Sequence, residues 1–554
     1  MVELKQSNCF YKRGARVKIF SKHQVVFGFV LSLVGFNLFS GSSALAAKTF
    51  VYCSEGSPSS FNPQLATDGP TFNASSHTVY NTLVEFRQGS TEIEPGLAES
   101  WTISKDGLTY TFKLRKGVKF HANEIFKPTR DLKADDILFS FDRQRVATHP
   151  YSKISGGSYE YFQSMEMGKI IKEIRKTDDQ TVVFVLTHQE APFLANLAMD
   201  FASIFSAEYA DAMLKAKTPE KVDTNPVGTG PFVFKSYQKD TLIRYTANET
   251  YWKGKPAIEN LVFAITPDAS VRAQKLKAGE CSLIAEPAPQ DIEAFKANNK
   301  LAVLEKEGLN VGYLAFNTQK GPFIKKEVRE AINYALNRKS YLEAIYMNRA
   351  TMAKNPIPPT IWSYNNSVAD YAYNPEKAKE ILKKAGYPNG FETEMWTLPV
   401  SRPYNPAGKK MGEMMQADLA KVGIKVKLVT YDWPTYLEKS KKGEHQMIQM
   451  GWTGDNGDPD NFFNVLLGCS GVEAGSNLAR WCFRPFNTLI EQAKQTADIK
   501  KRTQFYMKAQ TIFKQEAPWV TLAHARVYRA MSSKVTGYQI HPFGTEQFEK
   551  VDLK

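Results

Sequence analysis

The stretch TYTFKLRKGVKF at residues 109–120, followed by KADDILFSFDRQR at residues 133–145, decides the fold class. In the first segment polar and apolar residues alternate, which is typical of a half-buried β-strand. The second segment opens with acidic residues and continues with apolar residues at helical spacing. A strand followed by a helix is the repeating unit of α/β proteins.

Similar segments continue along the chain. QTVVFVLT and LIRYTANETYW are predicted strands, and VREAINYALNRKSYLEAIY and PEKAKEILKKAG are predicted helices, the second with Pro375 near its start and Gly386 at its end. KVGIKVKLVTYDW is predicted to hold a helix end and a strand, and the final LAHARVYRAMSSKVTGYQIHPFG reads as strands and turns. The alternation predicts α/β lobes with mostly parallel sheets.

The chain is long enough to form more than one domain. Its 554 residues exceed one ordinary hydrophobic core, and a composition of 43% hydrophobic and 23% charged residues is that of a globular protein. No long Pro/Gly/Ser linker separates the lobes. We therefore expect the chain to cross between two lobes more than once.

The N-terminal region is predicted to be a secretory signal peptide, residues 1–47. Basic residues precede the 15-residue apolar run VVFGFVLSLVGFNLF, and small residues ending in Ala44-Leu45-Ala46 follow it. Cleavage is expected after Ala46 or Ala47, with a retained membrane anchor as the alternative. No cysteine stands at the cleavage site, so a lipid anchor is not expected.

Charge and cysteine content narrow the function classes. Removing residues 1–47, which hold six basic residues and one acidic residue, lowers the net charge from +14 to +9. The charge is spread along the chain without a block of like charges, so nucleic acid is not an expected partner.

Four cysteines remain: Cys53, Cys281, Cys469 and Cys482. In an exported chain they predict two disulfides with three possible pairings, of which the 13-residue separation favours Cys469–Cys482. Their spacing does not fit a zinc site, and no metal or cofactor is expected.

The segment GWTGDNGDPDNFF at residues 451–463 combines three aspartates with aromatic residues. Its spacing does not fit a calcium-binding loop, because Gly457 and Pro459 fall at ligand positions. Asp458 and Asp460 are interpreted as turn or helix-cap residues. Asp455 could likewise be a turn or helix-cap residue, but it is also a candidate partner for a cationic ligand.

Several stretches resemble the large extracytoplasmic solute-binding proteins that serve ATP-binding cassette importers of peptides and nickel. GLAESWTISKDGLTYTFKLRKGVKFH at 96–121, LKADDILFSFDR at 132–143, NPVGTGPFVFKSY, VREAINYALNR and YNPEKAKEILKKAGY occur in the same order in that family. VYCSEGSPSSFNPQLATDG, LPVSRPYNP and GWTGDNGDPDNFF resemble its dipeptide-binding branch and the haem- or glutathione-binding relatives of that branch. The resemblance spans essentially all of residues 48–554.

The resemblance implies a two-lobed periplasmic-binding-protein clamp of the α/β class, with an extra subdomain in the first lobe. By motif position, lobe I would comprise residues 48–308 and 526–554, and lobe II residues 309–525. The same resemblance implies the disulfides Cys53–Cys281 and Cys469–Cys482.

The resemblance also implies the ligand-binding residues. Asp455 would receive the ligand's α-amine and Arg402 its carboxylate, while Tyr404 would line a side-chain pocket and Trp452 an apolar wall. Main-chain groups near Thr67, Asp68, Gly69, Thr453 and Gly454 would bind the peptide backbone. A structural role is the alternative for Arg402, Thr67 and Tyr404.

The function that the resemblance implies is that of a periplasmic, monomeric receptor. It would capture dipeptides and deliver them to the membrane permease of an ATP-binding cassette importer. Haem or glutathione is the alternative cargo. A secreted peptidase is the third alternative, and it is disfavoured because the chain has no HExxH or G-x-S-x-G motif and His121 is interpreted as structural.

Overall fold

A computed structural model of the protein describes residues 47–554. The predicted signal peptide therefore lies outside the described residues, apart from Ala47. Within this range no helix is both long enough and apolar enough to cross a membrane.

The described chain contains strands of 2 to 14 residues. They are β1 (Thr49–Ser54), β2 (Val84–Phe86), β3 (Ile93–Pro95), β4 (Ala98–Ile103), β5 (Thr109–Leu114), β6 (Ile171–Asp178), β7 (Thr181–Leu186), β8 (Phe232–Gln238), β9 (Leu242–Ala247), β10 (Asn260–Ile265), β11 (Leu283–Ile284), β12 (Leu301–Glu307), β13 (Asn310–Phe316), β14 (Ala350–Met352), β15 (Glu392–Trp396), β16 (Lys425–Val429), β17 (Met447–Thr453), β18 (Trp519–Ser532), β19 (Val535–Thr536) and β20 (Asp552–Leu553).

Helices alternate with these strands along the chain. They are α1 (Gly69–Ala74), α2 (Ala134–Arg145), α3 (Glu160–Ser164), α4 (Met167–Ile170), α5 (Phe193–Leu197), α6 (Ala207–Lys215), α7 (Lys221–Thr224), α8 (Ala269–Ala278), α9 (Ile292–Lys296), α10 (Lys326–Ala335), α11 (Arg338–Tyr346), α12 (Pro375–Lys384), α13 (Gly408–Ala420), α14 (Trp433–Lys441), α15 (Asp460–Leu467), α16 (Cys469–Ala474), α17 (Arg484–Lys494) and α18 (Ile499–Glu516).

The two fold-deciding segments form β5 and α2. In β5, Tyr110, Phe112 and Leu114 are buried on one face of the four-stranded sheet β4-β5-β7-β6. The strand ends at Leu114, before the predicted end at residue 120. The start of α2 is fixed by Asp136, whose carboxylate accepts hydrogen bonds from the Lys133 backbone N–H at 2.9 Å and from the Arg130 guanidinium at 2.7 and 2.8 Å. Satisfying an otherwise unpaired N–H in this way stabilises a helix start.

The principal sheet has the strand order β16-β15-β17-β13-β18-β11-β1-β10-β9-β8, and β12 and β14 also pair with β18. The prediction of mostly parallel sheets is wrong for this sheet. Parallel pairing is confined to β1 with its neighbours β10 and β11, and to β15 with its neighbours β16 and β17. The other pairs are antiparallel, because hairpins such as β8–β9 and the long returning strand β18 contribute most of the ladder.

Strand β18 joins the two halves of this sheet. Its residues 519–525 pair with β13 and β14, and its residues 526–532 pair with β12 and β11. The change of partner falls beside Gly308 and Leu309, where the chain passes from β12 into β13. The two chain crossings between the halves therefore lie next to each other.

The structure contains both disulfides that the resemblance implies. Cys53 in β1 is bonded to Cys281 just before β11, and Cys469 at the start of α16 is bonded to Cys482. The first closes a loop with a sequence separation of 228 residues and the second a loop of 13.

This difference in loop length predicts unequal contributions to stability. Restricting the unfolded chain stabilises by about 5 kcal/mol for the long loop and about 3 kcal/mol for the short one. The double variant Cys53→Ala/Cys281→Ala should therefore lose more free energy of unfolding than Cys469→Ala/Cys482→Ala. Urea unfolding under oxidising conditions measures both values. A larger loss from the Cys469/Cys482 variant would contradict this entropic account.

Candidate ligand-binding site

A cavity of about 140 Å³ lies between segments from both halves of the principal sheet. Its wall contains eight of the nine residues predicted from the sequence to bind ligand, namely Thr67, Asp68, Gly69, Arg402, Tyr404, Trp452, Thr453 and Asp455. The ninth residue, Gly454, does not line the cavity. A Cβ at Gly454 would lie 2.8 Å from the Phe462 ring, so this glycine makes room for core packing.

Asp455 provides the acid in the cavity wall. One carboxylate oxygen, Oδ2, accepts hydrogen bonds from the Tyr161 hydroxyl at 2.7 Å and from Asn461 Nδ2 at 3.3 Å. The Asn461 side chain also accepts from the Asp455 backbone N–H and from the Trp452 indole. Asn461, in the first turn of α15, therefore fixes both the acid and the aromatic wall beside it.

The surroundings of Asp455 favour its neutral form. Burial raises the pKa of Asp455 to about 7, the hydrogen bond from Tyr161 lowers it, and the negative charge of Asp200 raises it further. No Lys or Arg contacts this carboxylate within the described range. A cationic ligand group placed there would stabilise the ionised carboxylate.

Arg402 provides the base. Its Nη1 donates to Glu55 Oε1 at 3.1 Å, and its guanidinium lies 5.0 Å from the Trp433 ring centroid. Burial lowers the pKa of Arg402, but the acids Glu55 and Glu286 outweigh this effect, so its pKa lies above the usual value. The base is thus always charged, and only one of its nitrogens is engaged by Glu55.

A pair of glycines positions the turn that carries Arg402. Gly312 of β13 lies opposite Gly451 of β17, and the turn formed by residues 402–405 rests on this pair. A Cβ at Gly451 would lie 2.1 Å from the Tyr404 ring, and a Cβ at Gly312 would lie 2.3 Å from the Tyr404 carbonyl oxygen. The Tyr346 hydroxyl donates to the same carbonyl at 2.5 Å. Only glycine allows this close approach.

The segment 67–69 contributes backbone rather than side-chain groups. The Asp68 carboxylate caps α1 by accepting from the Thr71 backbone N–H at 3.1 Å, and it also accepts from the Ser59 and Thr71 hydroxyls. The backbone N–H and C=O of Thr67 have no hydrogen-bond partner in the described protein. Since Thr67 lines the cavity, these two groups are open to a ligand.

Strand β17 also presents unpaired backbone to the cavity. It pairs with β13 along its length, but with β15 only at Met447 and Ile448. From Gln449 to Thr453 no described strand covers its second edge, and on this edge the Gln449 carbonyl accepts from the Tyr436 hydroxyl at 2.6 Å. A strand edge that lacks a neighbouring strand beside a cavity is the arrangement that binds extended peptides by strand addition.

The remaining predicted residues have structural roles. The Asp458 carboxylate pairs with Arg502 at 2.7 Å and accepts from the Asp460 backbone N–H, which makes it a turn residue as interpreted. His121 is buried and bonded through Nε2 to the Gly230 carbonyl, and burial lowers its pKa to about 4. Across residues 47–554 no three His, Cys, Asp or Glu side chains are grouped so that they could hold a metal ion.

The sequence did not reveal several charged and aromatic residues of the wall. Glu55, Tyr161, Glu286, Trp433 and Lys441 line the cavity together with Arg402 and Asp455. Glu55 lies within one of the family-like stretches, and Trp433 and Lys441 lie between the segments that carry Arg402 and Asp455, whereas Tyr161 and Glu286 lie far along the chain from every quoted site segment. Their side chains approach only after folding, so no local spacing indicates them.

Comparison with known proteins decides the family. The family model described as "Bacterial extracellular solute-binding proteins, family 5 Middle" matches residues 92–474. The chain is 54% identical to the Dipeptide-binding protein of Escherichia coli over 524 residues, covering 95% of this chain and 97% of that protein. The chain belongs to the family 5 bacterial extracellular solute-binding proteins.

Two further relatives of this family 5 protein are informative. It is 50% identical to Heme-binding protein A of Haemophilus influenzae, covering 91% of this chain and 92% of the relative. The crystal structure of a dipeptide-binding protein from a Pseudoalteromonas species in complex with Met-Leu superimposes with a TM-score of 0.90 at 38% identity, covering 92% of this chain and all of that chain. The matched structures are two-lobed binding proteins, so the predicted two-lobed α/β fold is confirmed.

The glycine pair under the Arg402 turn generates a prediction. Gly451→Ala should displace the Tyr404 ring and destabilise the protein by about 1–3 kcal/mol, as overpacking does. Gly69→Ala is the matched control, because it lies in the same cavity wall with no atom within 4 Å of the added Cβ. Denaturant unfolding should find that Gly69→Ala is unchanged or slightly stabilised. Equal stabilities for the two variants would show that the glycine pair does not seat the turn.

Proposed function

We propose that this family 5 protein is the substrate-binding receptor of an ATP-binding cassette importer and that it captures dipeptides between its two lobes. The observation that carries the proposal is one cavity with a carboxylate, Asp455, and a guanidinium, Arg402, in its wall. A free dipeptide is a zwitterion with an ammonium at one end and a carboxylate at the other. Burying either charge without a partner costs several kcal/mol, so a receptor needs both side chains.

In this proposal Asp455 binds the ligand ammonium and Arg402 binds the ligand carboxylate. The guanidinium keeps N–H groups beyond Nη1 for a charge-assisted bond to the carboxylate. Fixing both termini limits ligand length, because a third residue would carry one charged end past its partner. Trp452 and Tyr404 supply apolar surface between the charged ends.

We assign the acceptance of dipeptides with different side chains to backbone groups of the cavity. The free N–H and C=O of Thr67 and the uncovered edge of β17 near Thr453 can hydrogen-bond any dipeptide main chain. Such bonds are independent of ligand sequence. The relatives named for dipeptide binding support this assignment.

We assign lobe I to residues 48–308 and 526–554, with an additional subdomain, and lobe II to residues 309–525. The strand pairing supports these limits, because β18 changes partners between residues 525 and 526 and β12 ends at residue 307. Two adjacent crossings form a natural hinge, and closure about it would enclose the ligand between the lobes.

The receptor is assigned to the periplasm, as a monomer that delivers its cargo to a membrane permease. The N-terminal sequence has the order of a secretory signal, and the disulfides fit an oxidising compartment. Catalysis is not part of the proposal, and the relatives in this family are solute-binding proteins.

Haem is the second candidate cargo, and the 50% identity to Heme-binding protein A favours it. Glutathione is a third, since it also carries both an ammonium and carboxylates. The charge complementarity of the cavity favours zwitterionic ligands over haem. Among the described residues that form its wall there is no histidine, so an axial iron ligand would have to be Tyr or Met.

Replacing the two charged residues tests the cargo. Asp455→Asn should weaken dipeptide binding by roughly a hundredfold or more, because breaking a buried ion pair typically costs about 3–5 kcal/mol. Arg402→Met should weaken binding comparably, and N-acetylated or C-amidated dipeptides should bind the unmutated protein poorly. Calorimetry against dipeptides, tripeptides, glutathione and haem measures these effects.

Asp460→Asn is the matched control for this experiment. Asp460 is the first residue of α15, directly after the loop that carries Asp455, and it lies outside the cavity wall. Burial raises its pKa, so a neutral amide resembles its protonated form. Its dipeptide affinity should change by less than about threefold, or under 1 kcal/mol. The dipeptide assignment fails if haem binds tightly, resists Asp455→Asn, and dipeptides give no heat.

The raised pKa of Asp455 predicts how binding depends on pH. The ligand ammonium needs the ionised carboxylate, so below the pKa of about 7 binding must release the Asp455 proton. Affinity should therefore fall by about tenfold per pH unit well below pH 7, and it should fall again above about pH 8, where the α-amino group loses its charge. Calorimetry in buffers of different ionisation enthalpy should detect proton release at pH 6. Asp455→Asn should abolish the acidic limb; an unchanged acidic limb in that variant would assign it to another group.

A further inference from the structure

The Arg402 end of the cavity holds more acidic than basic groups. Around Arg402 lie two further arginines and four acids, which we call the Arg402 cluster: Arg272, Arg402, Arg529, Glu55, Asp68, Glu286 and Glu546. With all of these groups ionised the cluster carries one excess negative charge. A ligand carboxylate bound there would add another.

Each arginine of the cluster is already engaged. Arg529 pairs with Glu546 and lies 3.3 Å from Glu286. Arg272 donates to four backbone carbonyls at 2.7 to 3.0 Å. Arg402 keeps the most donors for a ligand, because only its Nη1 is engaged, and it shares its charge with Glu55 at 3.1 Å.

Glu55 has an unused acceptor. Its side chain lines the cavity and is 8% exposed, and its second oxygen, Oε2, has no hydrogen-bond partner among the described residues. A buried carboxylate oxygen without a donor is costly. A ligand that supplies a positive N–H donor at this point would remove that cost.

The cavity wall has no spare cation for an acidic ligand side chain. Its three basic residues are Arg402, Arg529 and Lys441, and Lys441 is paired with Glu160 at 2.5 Å. The Asp68 carboxylate accepts hydrogen bonds only from neutral donors, so it has no direct ion pair. The electrostatics at this end therefore favour added positive charge.

We propose that Glu55 is a specificity-determining residue which makes the cavity select dipeptides with a basic side chain on their second residue and disfavour acidic ones. This inference rests on the proposed function, in which Arg402 holds the carboxylate of that second residue. The ligand carboxylate and Glu55 share one guanidinium, and the ligand's basic side chain bonds to Glu55 Oε2 and offsets the second negative charge.

The test measures the affinities of three dipeptides by calorimetry. The unmutated protein should bind alanyl-lysine about tenfold more tightly than alanyl-glutamate, with alanyl-alanine between them. In Glu55→Gln, which keeps the side-chain shape, alanyl-lysine should lose about threefold and alanyl-glutamate should gain about threefold, so the tenfold preference should largely disappear, while alanyl-alanine should gain slightly. Opposite changes for ligands of opposite charge would not follow from a merely structural role.

Glu376→Gln is the matched control, because it removes one acid from an exposed position on α12. It should leave the order and spacing of the three affinities unchanged. If Glu55→Gln does not fold, as judged by circular dichroism, the order of the three dipeptide affinities in the unmutated protein still tests the inference. Equal binding of alanyl-lysine and alanyl-glutamate, or an unchanged ratio in folded Glu55→Gln, overturns the inference. Absence of heat with all three dipeptides would instead overturn the proposed function itself.

Discussion

Burial of charge is the constraint on which the binding cavity depends. Asp455 and Arg402 lie in one enclosed cavity wall, and an enclosed charge must find a partner or become neutral. The two residues meet this constraint differently. Arg402 is held by Glu55 and by the face of Trp433, whereas Asp455 has only neutral partners and its pKa rises to about 7. One end of the cavity therefore stays charged at every physiological pH, and the other becomes fully charged only when a cation arrives.

The placement of these charges follows from the backbone. Strand β18 runs through both halves of the principal sheet and joins the segments that carry the cavity wall. Beside it, the opposed pair Gly312 and Gly451 gives β13 and β17 a flat surface on which the Arg402 turn rests. A side chain at either glycine would lift that turn. The guanidinium is thus positioned by the absence of two side chains as much as by its own contacts.

The two residues proposed to bind the ligand termini also join the earlier and later parts of the chain. Tyr161 and Glu55 come from the first part of the chain, and they bond to Asp455 and Arg402 from the later part. A ligand that binds Asp455 and Arg402 therefore changes the contacts by which the two parts of the chain meet. In the proposed receptor, binding energy at the ligand termini would be coupled to the arrangement of the lobes, since a ligand shifts a conformational equilibrium by its differential contacts.

The sequence by itself determined the α/β class and the family, and it named eight of the residues that line the cavity. These predictions rest on local patterns, namely the alternation in β5, the acidic residues at the start of α2 and the stretch around Asp455. A local pattern involves residues close together in sequence, so it can be recognised without the folded structure. Strand direction was not predictable, because pairing such as that of β18 joins residues more than two hundred positions apart. The partners Tyr161 and Glu55, the glycine support under Tyr404 and the excess of acid around Arg402 were decided only by the tertiary structure. Such contacts depend on distance in space, and a buried group's charge and pKa depend on every neighbour that folding brings within a few ångströms.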